Sequence, residues 1–214
     1  MGSKLRAGAD TLRRLLHEYP ARLAAMMTAL FAFGLATGPA SVLMSKYLQT
    51  THHYAPHQVS MLYIFGGLVA VAGNIAAGRI SDRIGRKTVV FTAMLASGVG
   101  FAIFFSGYGG MFLPVLWIVA LFGYLSSDAL LAGYAVEIFP TAYRATLGGL
   151  RYVFVILGGA LGLALEGVFY DWLGAHGPAI SLSLVALPFG LIAVLLLPEP
   201  ARRVLEEIAP ASAE

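Results

Sequence analysis

Two charges sit deep in apolar sequence, where a charge is costly. Asp128 ends an uncharged run that starts at Thr88, and Glu137 follows nine positions later. Arg151 comes seven positions after Arg144. At 1.5 Å of rise per residue, a helix would set Asp128 about 13 Å from the level of Glu137, and Arg151 about 10 Å from that of Arg144. A charged side chain at the centre of a membrane helix costs about 2.5–3.5 kcal/mol on insertion scales. A carboxylate and a guanidinium at similar depth could pair, take up a proton, or meet a polar substrate. Asp128 reads either as a pathway residue or as a buried acid that only holds helices together. Arg151 reads either as its ion partner or as a cation snorkelling to the surface. Trp117, Tyr124 and Asp128 recur at helical spacing with Ser127 beside them, a polar and aromatic stripe expected to line an aqueous cavity. Glu166 is either a gate or a solvated helix end, and the solvated end is expected. Thr37, Ser41 and Ser45 share one helical face, as do Tyr63 and Asn74. These faces either meet substrate or hydrogen-bond between helices.

A second group of charges lies between apolar runs. Gly78-Arg79-Ile80-Ser81-Asp82-Arg83-Ile84-Gly85-Arg86-Lys87 sets one acid among four cations, with two spaced glycines. It is expected to be a tight loop in which Gly78 and Gly85 permit the turn. Asp82 with Arg83 and Arg86 could lock one packing of the loop and release another. Glu137 and Arg144 flank Phe139-Pro140-Thr141 and offer a second such pair. His52, His53 and His57 are close in sequence, but they fall in a segment with no fixed supporting groups, so no metal site is expected. No phosphate-binding glycine loop, nucleophile elbow or zinc-protease pattern occurs, and no cofactor or enzymatic activity is expected. The chain has no cysteine.

The elements that must position these groups are membrane helices. Of 214 residues, 58% are hydrophobic and 12% charged, against about 25% charged in soluble domains. Mean hydropathy is +0.79. A span needs about 20 apolar residues. Six runs qualify, at Leu23–Ser45, Val59–Gly78, about 88–106, 111–137, 145–170 and 178–197. The fold class is therefore an all-α integral membrane protein with six transmembrane helices spanning 23–198. A basic amphipathic lead (1–22) precedes them, and a tail (199–214) carrying a short amphipathic helix at Arg202–Ile208 follows. Gly34-x-x-x-Gly38 and Gly158-x-x-x-Gly162 are expected to be helix-packing sites. With six spans, thirteen of the fourteen lysines and arginines fall on one side and Lys46 alone on the other. Basic short loops stay inside, so both termini are expected in the cytoplasm. This placement explains the basic residues without nucleic acid.

The Gly78–Lys87 string closely resembles the loop signature of the major facilitator superfamily, Gly-x-x-x-Asp-Arg-x-Gly-Arg followed by Lys or Arg. Glu137 through Arg144 is similar to the corresponding loop of its sugar-porter and metabolite–proton symporter branches. Pro198-Glu199-Pro200 with Leu205-Glu206-Glu207 resembles their terminal segment, departing at Pro200. The family has twelve helices in two halves. The fourth span here has no internal arginine, the fifth has no proline, and the lead is similar to an interdomain linker, so the resemblance implies a carboxyl-terminal half. It further implies a bacterial inner or plasma membrane and alternating access driven by an ion gradient, with protons expected. The implied substrate is a small polar metabolite, either an organic acid or a sugar. The first and fourth spans would line the cavity. Asp82, Arg83, Arg86, Glu137 and Arg144 would latch the cytoplasmic face. A half cannot enclose a pathway, so the missing amino-terminal half or a second copy is an expected partner. The alternative is a non-transporting membrane module or a fragment.

Overall fold

The computed structural model describes residues 2–108 and 110–200, the first eight by backbone alone. The described residues form helices and short turns, with no strand. The helices are α1 (Gly2–Glu18), α2 (Pro20–Thr51), α3 (Pro56–Ile84), α4 (Arg86–Phe105), α5 (Leu113–Glu137), α6 (Arg144–Leu173), α7 (His176–Ser183) and α8 (Leu187–Leu196). Six spans are long and apolar enough to cross a membrane: α2, α3, α4, α5 with its lead from Gly110, α6 with its lead from Thr141, and α7 with α8 together. Large apolar side chains stay exposed on them, Leu68 and Val71 of α3, Ile156 and Val168 of α6 and Phe189 of α8 among them. Hydrocarbon tolerates such a surface and water does not.

Helices overrun the apolar segments that announce them. α2 begins at Pro20, whose missing N–H suits a first helical turn, and continues through Gln49 and Thr50. Hydrophobicity marks only the part in hydrocarbon, while backbone hydrogen bonding carries the helix beyond it. The same reason corrects the expected loop at 78–87. α3 runs through Gly78 to Ile84, Gly85 alone breaks the chain, and α4 starts at Arg86. Gly78 makes no turn; it is helical, with open space where a Cβ would stand. The sixth span is not one helix. Pro188 falls in the first turn of α8 and lacks the N–H that a continuous helix would need, and a 3₁₀ turn at Leu184–Ala186 takes up the break. The tail helix expected at Arg202–Ile208 lies outside the described residues.

α2 packs against every other span, and fifteen of its residues are buried. Its tightest partner is α6. A methyl at Gly34 would strike the carbonyl of Val155, one at Gly158 that of Phe31, and one at Gly162 that of Leu35. These two backbones meet directly, and only glycine permits it. α4 and α5 meet similarly, Gly123 against Ser97 and Gly100 against Ala120. The core between them is filled by Met26, Leu30 and Phe33 of α2, Phe101 and Phe104 of α4, and Trp117 of α5. α3 and α6 are the least covered spans. α3 buries only Val59, Gly66, Ala70 and Ser81; α6 buries only Leu147, Arg151, Gly158, Gly162 and Glu166.

Candidate functional site

Asp128 and Arg151 face each other from consecutive spans. The Arg151 guanidinium donates to the Asp128 carboxylate at 2.7 Å and to the Asp128 backbone carbonyl at 3.2 Å. It also lies over the Tyr152 ring, 4.3 Å from its centroid. Arg151 therefore does not snorkel; its side chain is 9% exposed. The Asp128 side chain is 42% exposed, so the pair has one closed side and one open side. The double hydrogen bond from one guanidinium nitrogen to the residue's carboxylate and carbonyl fixes the arginine against the α5 backbone.

The rest of the predicted stripe turns inward. Trp117 is fully buried, edge-on to Tyr63 of α3 at 4.7 Å and to Phe104 of α4 at 5.9 Å. Tyr124 stacks on Phe33 at 5.7 Å and meets Phe101 at 6.2 Å. Ser127 donates to the Gly123 carbonyl of its own helix at 2.7 Å. α5 packs against α2, α3, α4 and α6, so most of its circumference is interior, and of this stripe Asp128 is the open member. Ser126, which the stripe passes over, matters instead: it donates to Asn74 of α3 at 2.6 Å and ties α3 to α5 at mid-length. Its signal was in the sequence, since a serine in an apolar helix needs a partner. Thr37 and Ser41 spend their hydroxyls on their own helix, on Phe33 and Gly38 carbonyls.

The basic end of the bundle holds a connected charge cluster. Arg86 donates from Nε to Glu137 at 2.8 Å and pairs through a terminal nitrogen with Asp82 at 2.8 Å. One arginine at the start of α4 thus joins the end of α3 to the end of α5. The expected pairing of Glu137 with Arg144 is not the one formed. Arg144 opens α6 beyond the Ile138–Tyr143 turn, and its Nε is buried without a partner among the described residues. Arg83 lies exposed at the end of α3. Gly85 has a φ of +109°, and a Cβ there would come within 2.9 Å of the Glu199 carboxylate. That carboxylate accepts the backbone N–H groups of Arg86 at 2.9 Å and Lys87 at 3.1 Å. It neutralises the positive end of α4 as an acidic cap does. Lys87 Nζ reciprocates on the carbonyls of Leu195 and Leu197 at the end of α8, and Tyr134 donates to the Pro198 carbonyl at 2.7 Å. A cavity of about 280 Å³ borders the cluster, lined by Asn74, Gly78, Ser81, Arg86, Tyr134 and Glu137 among others. The sequence marked Glu199 only as part of the terminal segment; its capping role needs α8 to end beside α4.

At the opposite end Glu166 is buried, contrary to the solvated end expected, and its carboxylate sits 2.7 Å from His176 Nδ1 of α7. The His176 ring stacks on Tyr170 at 4.3 Å. α7 folds back against α6 after Gly174, which brings His176 onto Glu166. His52 has its pKa lowered by burial and by the neighbouring His53. Among the described residues no three His, Asp or Glu side chains converge as a metal site would require.

The chain matches known proteins along most of its length. It is 28% identical over 170 residues to the human solute carrier family 2, facilitated glucose transporter member 6, covering 73% of this chain and 32% of that one. Against the probable metabolite transport protein CsbC of Bacillus subtilis it is 32% identical over 145 residues, 67% of this chain and 30% of the relative. Against the phosphoglycerate transporter protein of Salmonella typhimurium it is 29% identical over 136 residues, 61% and 29%. The chain spans about a third of the length of these relatives. Residues 25–211 match the model of the Major Facilitator Superfamily, and this multi-pass membrane chain, with half the helices of the full fold, belongs to that family.

Proposed function

We propose that the chain is the carboxyl-terminal half of a secondary active transporter for a small polar metabolite, working by alternating access. One observation carries the reading. By rise per residue the Asp128–Arg151 pair lies about 10–13 Å inside the basic ends of α5 and α6, with the Asp128 side chain 42% exposed. Lipid cannot front an open carboxylate there without a cost of about 2.5–3.5 kcal/mol, so this face belongs on a water-filled path or against another protein surface. The thin burial of α3 and α6 supports a second six-helix body on the same side, either an amino-terminal half or a second copy. In that assembly the site would lie at the interface of the two bodies, where such transporters hold substrate. Asp128 would exchange a proton or substrate contact against Arg151. The cluster of Asp82, Arg86, Glu137 and Glu199 would hold the basic face shut in one state and part in the other. That face would be cytoplasmic in a bacterial inner or plasma membrane, with both termini inside. The names of the relatives, a glucose, a phosphoglycerate and a metabolite transporter, favour a sugar or an organic acid.

The test is uptake of radiolabelled sugars and organic acids into proteoliposomes, with and without an imposed proton gradient. Asp128→Asn, Arg151→Gln and the charge swap are assayed beside the parent. Gradient-driven uptake should fall at least tenfold in the two single variants and recover in part in the swap. Equal coupling in all of them would remove this pair from the mechanism. No uptake by the parent, even when supplied with an amino-terminal half, would favour a non-transporting membrane module.

A further inference from the structure

The side chains described on α1 run from Asp10 to Glu18, and its three faces do different things. Leu15 is fully buried and anchors the helix to the bundle. Glu18 turns to the Tyr143 hydroxyl, which donates to it at 2.7 Å. Leu12 and Leu16 face instead across an open groove to α2 and α6. The groove has a volume of about 730 Å³ and is bounded by Leu12, Leu16, Ala24, Met27, Phe31 and Phe154 among others. Thr28 is the one side chain in its lining with a polar atom. Along α2 the groove extends from Pro20 to Phe31, eleven residues or about 16 Å of helix. That equals the depth of one leaflet's hydrocarbon, about half of 30 Å. A second hollow of about 520 Å³, lined by Arg13, Arg14, Leu16 and His17, shares Leu16 with the groove. Both arginines and the histidine are exposed. Two acids flank them on α1: Asp10, three and four positions before the arginines, and Glu18, four positions after Arg14 and accepting from the Tyr143 hydroxyl.

We infer that this paired hollow is a binding site for one anionic phospholipid of the leaflet at the basic end. An acyl chain lies in the groove between α1, α2 and α6, and the phosphodiester headgroup sits among Arg13, Arg14 and His17. The charge decides the occupant. A purely apolar partner helix would fill the groove and make no use of the three basic side chains at its mouth, whereas an anionic lipid answers both regions with one molecule. The groove's length matches a chain descending from the headgroup level. Basic residues beside a membrane surface attract anionic lipid by roughly 1 kcal/mol each, and the two arginines together multiply the preference about thirtyfold. The site is separate from the Asp128–Arg151 pair and stands whether or not that pair couples transport.

The test uses the purified 214-residue chain in neutral detergent, titrated with equimolar dioleoylphosphatidylglycerol and dioleoylphosphatidylcholine and read by native mass spectrometry. One phosphatidylglycerol should be retained about thirtyfold over phosphatidylcholine. Arg13→Gln with Arg14→Gln should bring the two lipids to near parity. Ala24→Trp, which obstructs the groove part-way along and leaves the cations, should weaken retention of both lipids. If that variant does not fold by circular dichroism, Thr28→Phe takes its place. Equal retention by the parent, an undiminished preference without the arginines, or undiminished retention with the groove obstructed would each overturn the site. Ala24→Cys also probes it, since the parent has no cysteine. Quantitative disulfide-linked dimer in phosphatidylglycerol-containing vesicles would place a second copy in the groove and overturn the assignment. A monomeric, lipid-bearing Ala24→Cys chain agrees with it.

Discussion

Removing Asp128 should cost more than removing Arg151, although each change breaks the same 2.7 Å contact. The two partners are differently exposed, 42% for Asp128 and 9% for Arg151. Asp128→Ala strands a buried guanidinium with one carbonyl at 3.2 Å and the face of Tyr152. Breaking a fully buried pair costs about 3–5 kcal/mol, and a charge-assisted hydrogen bond contributes about 1.5–3 kcal/mol. With one side open, the expected loss falls below the buried-pair range, at about 2–3 kcal/mol. Arg151→Met keeps a long stem against Tyr152 and leaves a carboxylate that water reaches in a micelle, so its loss is about 1 kcal/mol. The double variant removes the stranded charge and should lose only about 1–1.5 kcal/mol, a coupling near 2 kcal/mol. The assay is a double-mutant cycle on the purified chain in dodecyl maltoside, unfolded by SDS titration and followed by circular dichroism. Equal losses in the single variants, or a coupling below about 0.5 kcal/mol, would refute the view that exposure sets the energetics of this pair.

Three further outcomes are expected. Gly158→Leu drives a side chain into the Phe31 carbonyl and should destabilise the α2–α6 contact by about 1–3 kcal/mol or prevent folding. Gly167→Ala, on the same helix with nothing near a Cβ, should be neutral or stabilising by up to about 1 kcal/mol, and the SDS titration separates the two. Glu199→Ala removes the cap on α4 and should cost about 1–2 kcal/mol. Hydrogen exchange should then show faster exchange at the Arg86 and Lys87 amides and unchanged protection in the core of α2. His52 has its pKa lowered from 6.5, so the folded chain binds this proton less readily than the unfolded one. The stability due to its neutral form is complete above about pH 6.5 and declines as pH falls below it. His52→Gln should flatten that part of the stability–pH curve measured by SDS titration at fixed ionic strength.

The sequence alone determined the solvent and the count of spans. Long uncharged apolar runs have one stable solution in hydrocarbon, since every backbone N–H and C=O must be satisfied within the segment. It also marked Gly34, Gly38, Gly158 and Gly162 as close-packing positions, because small residues four apart form a flat strip on a helix. The depth of Asp128 and Arg151 followed from rise per residue alone. Their meeting did not, since depth fixes one coordinate and the pair depends on how α5 and α6 rotate about their axes.

That rotation is where sequence reasoning failed elsewhere. Trp117 and Tyr124 share a helical face with Asp128, yet packing of α5 among its neighbours buries Trp117, half-buries Tyr124 against Phe33 and Phe101, and leaves the carboxylate open. Glu137 lies seven residues from Arg144 but pairs with Arg86, because the turn between α5 and α6 carries Arg144 away while α4 brings Arg86 alongside. Glu199 becomes a cap, and Glu166 a buried partner of His176, through contacts between segments that no local pattern relates. Local periodicity fixes what each helix can bury, and the assembled bundle alone decides which of its polar groups meet.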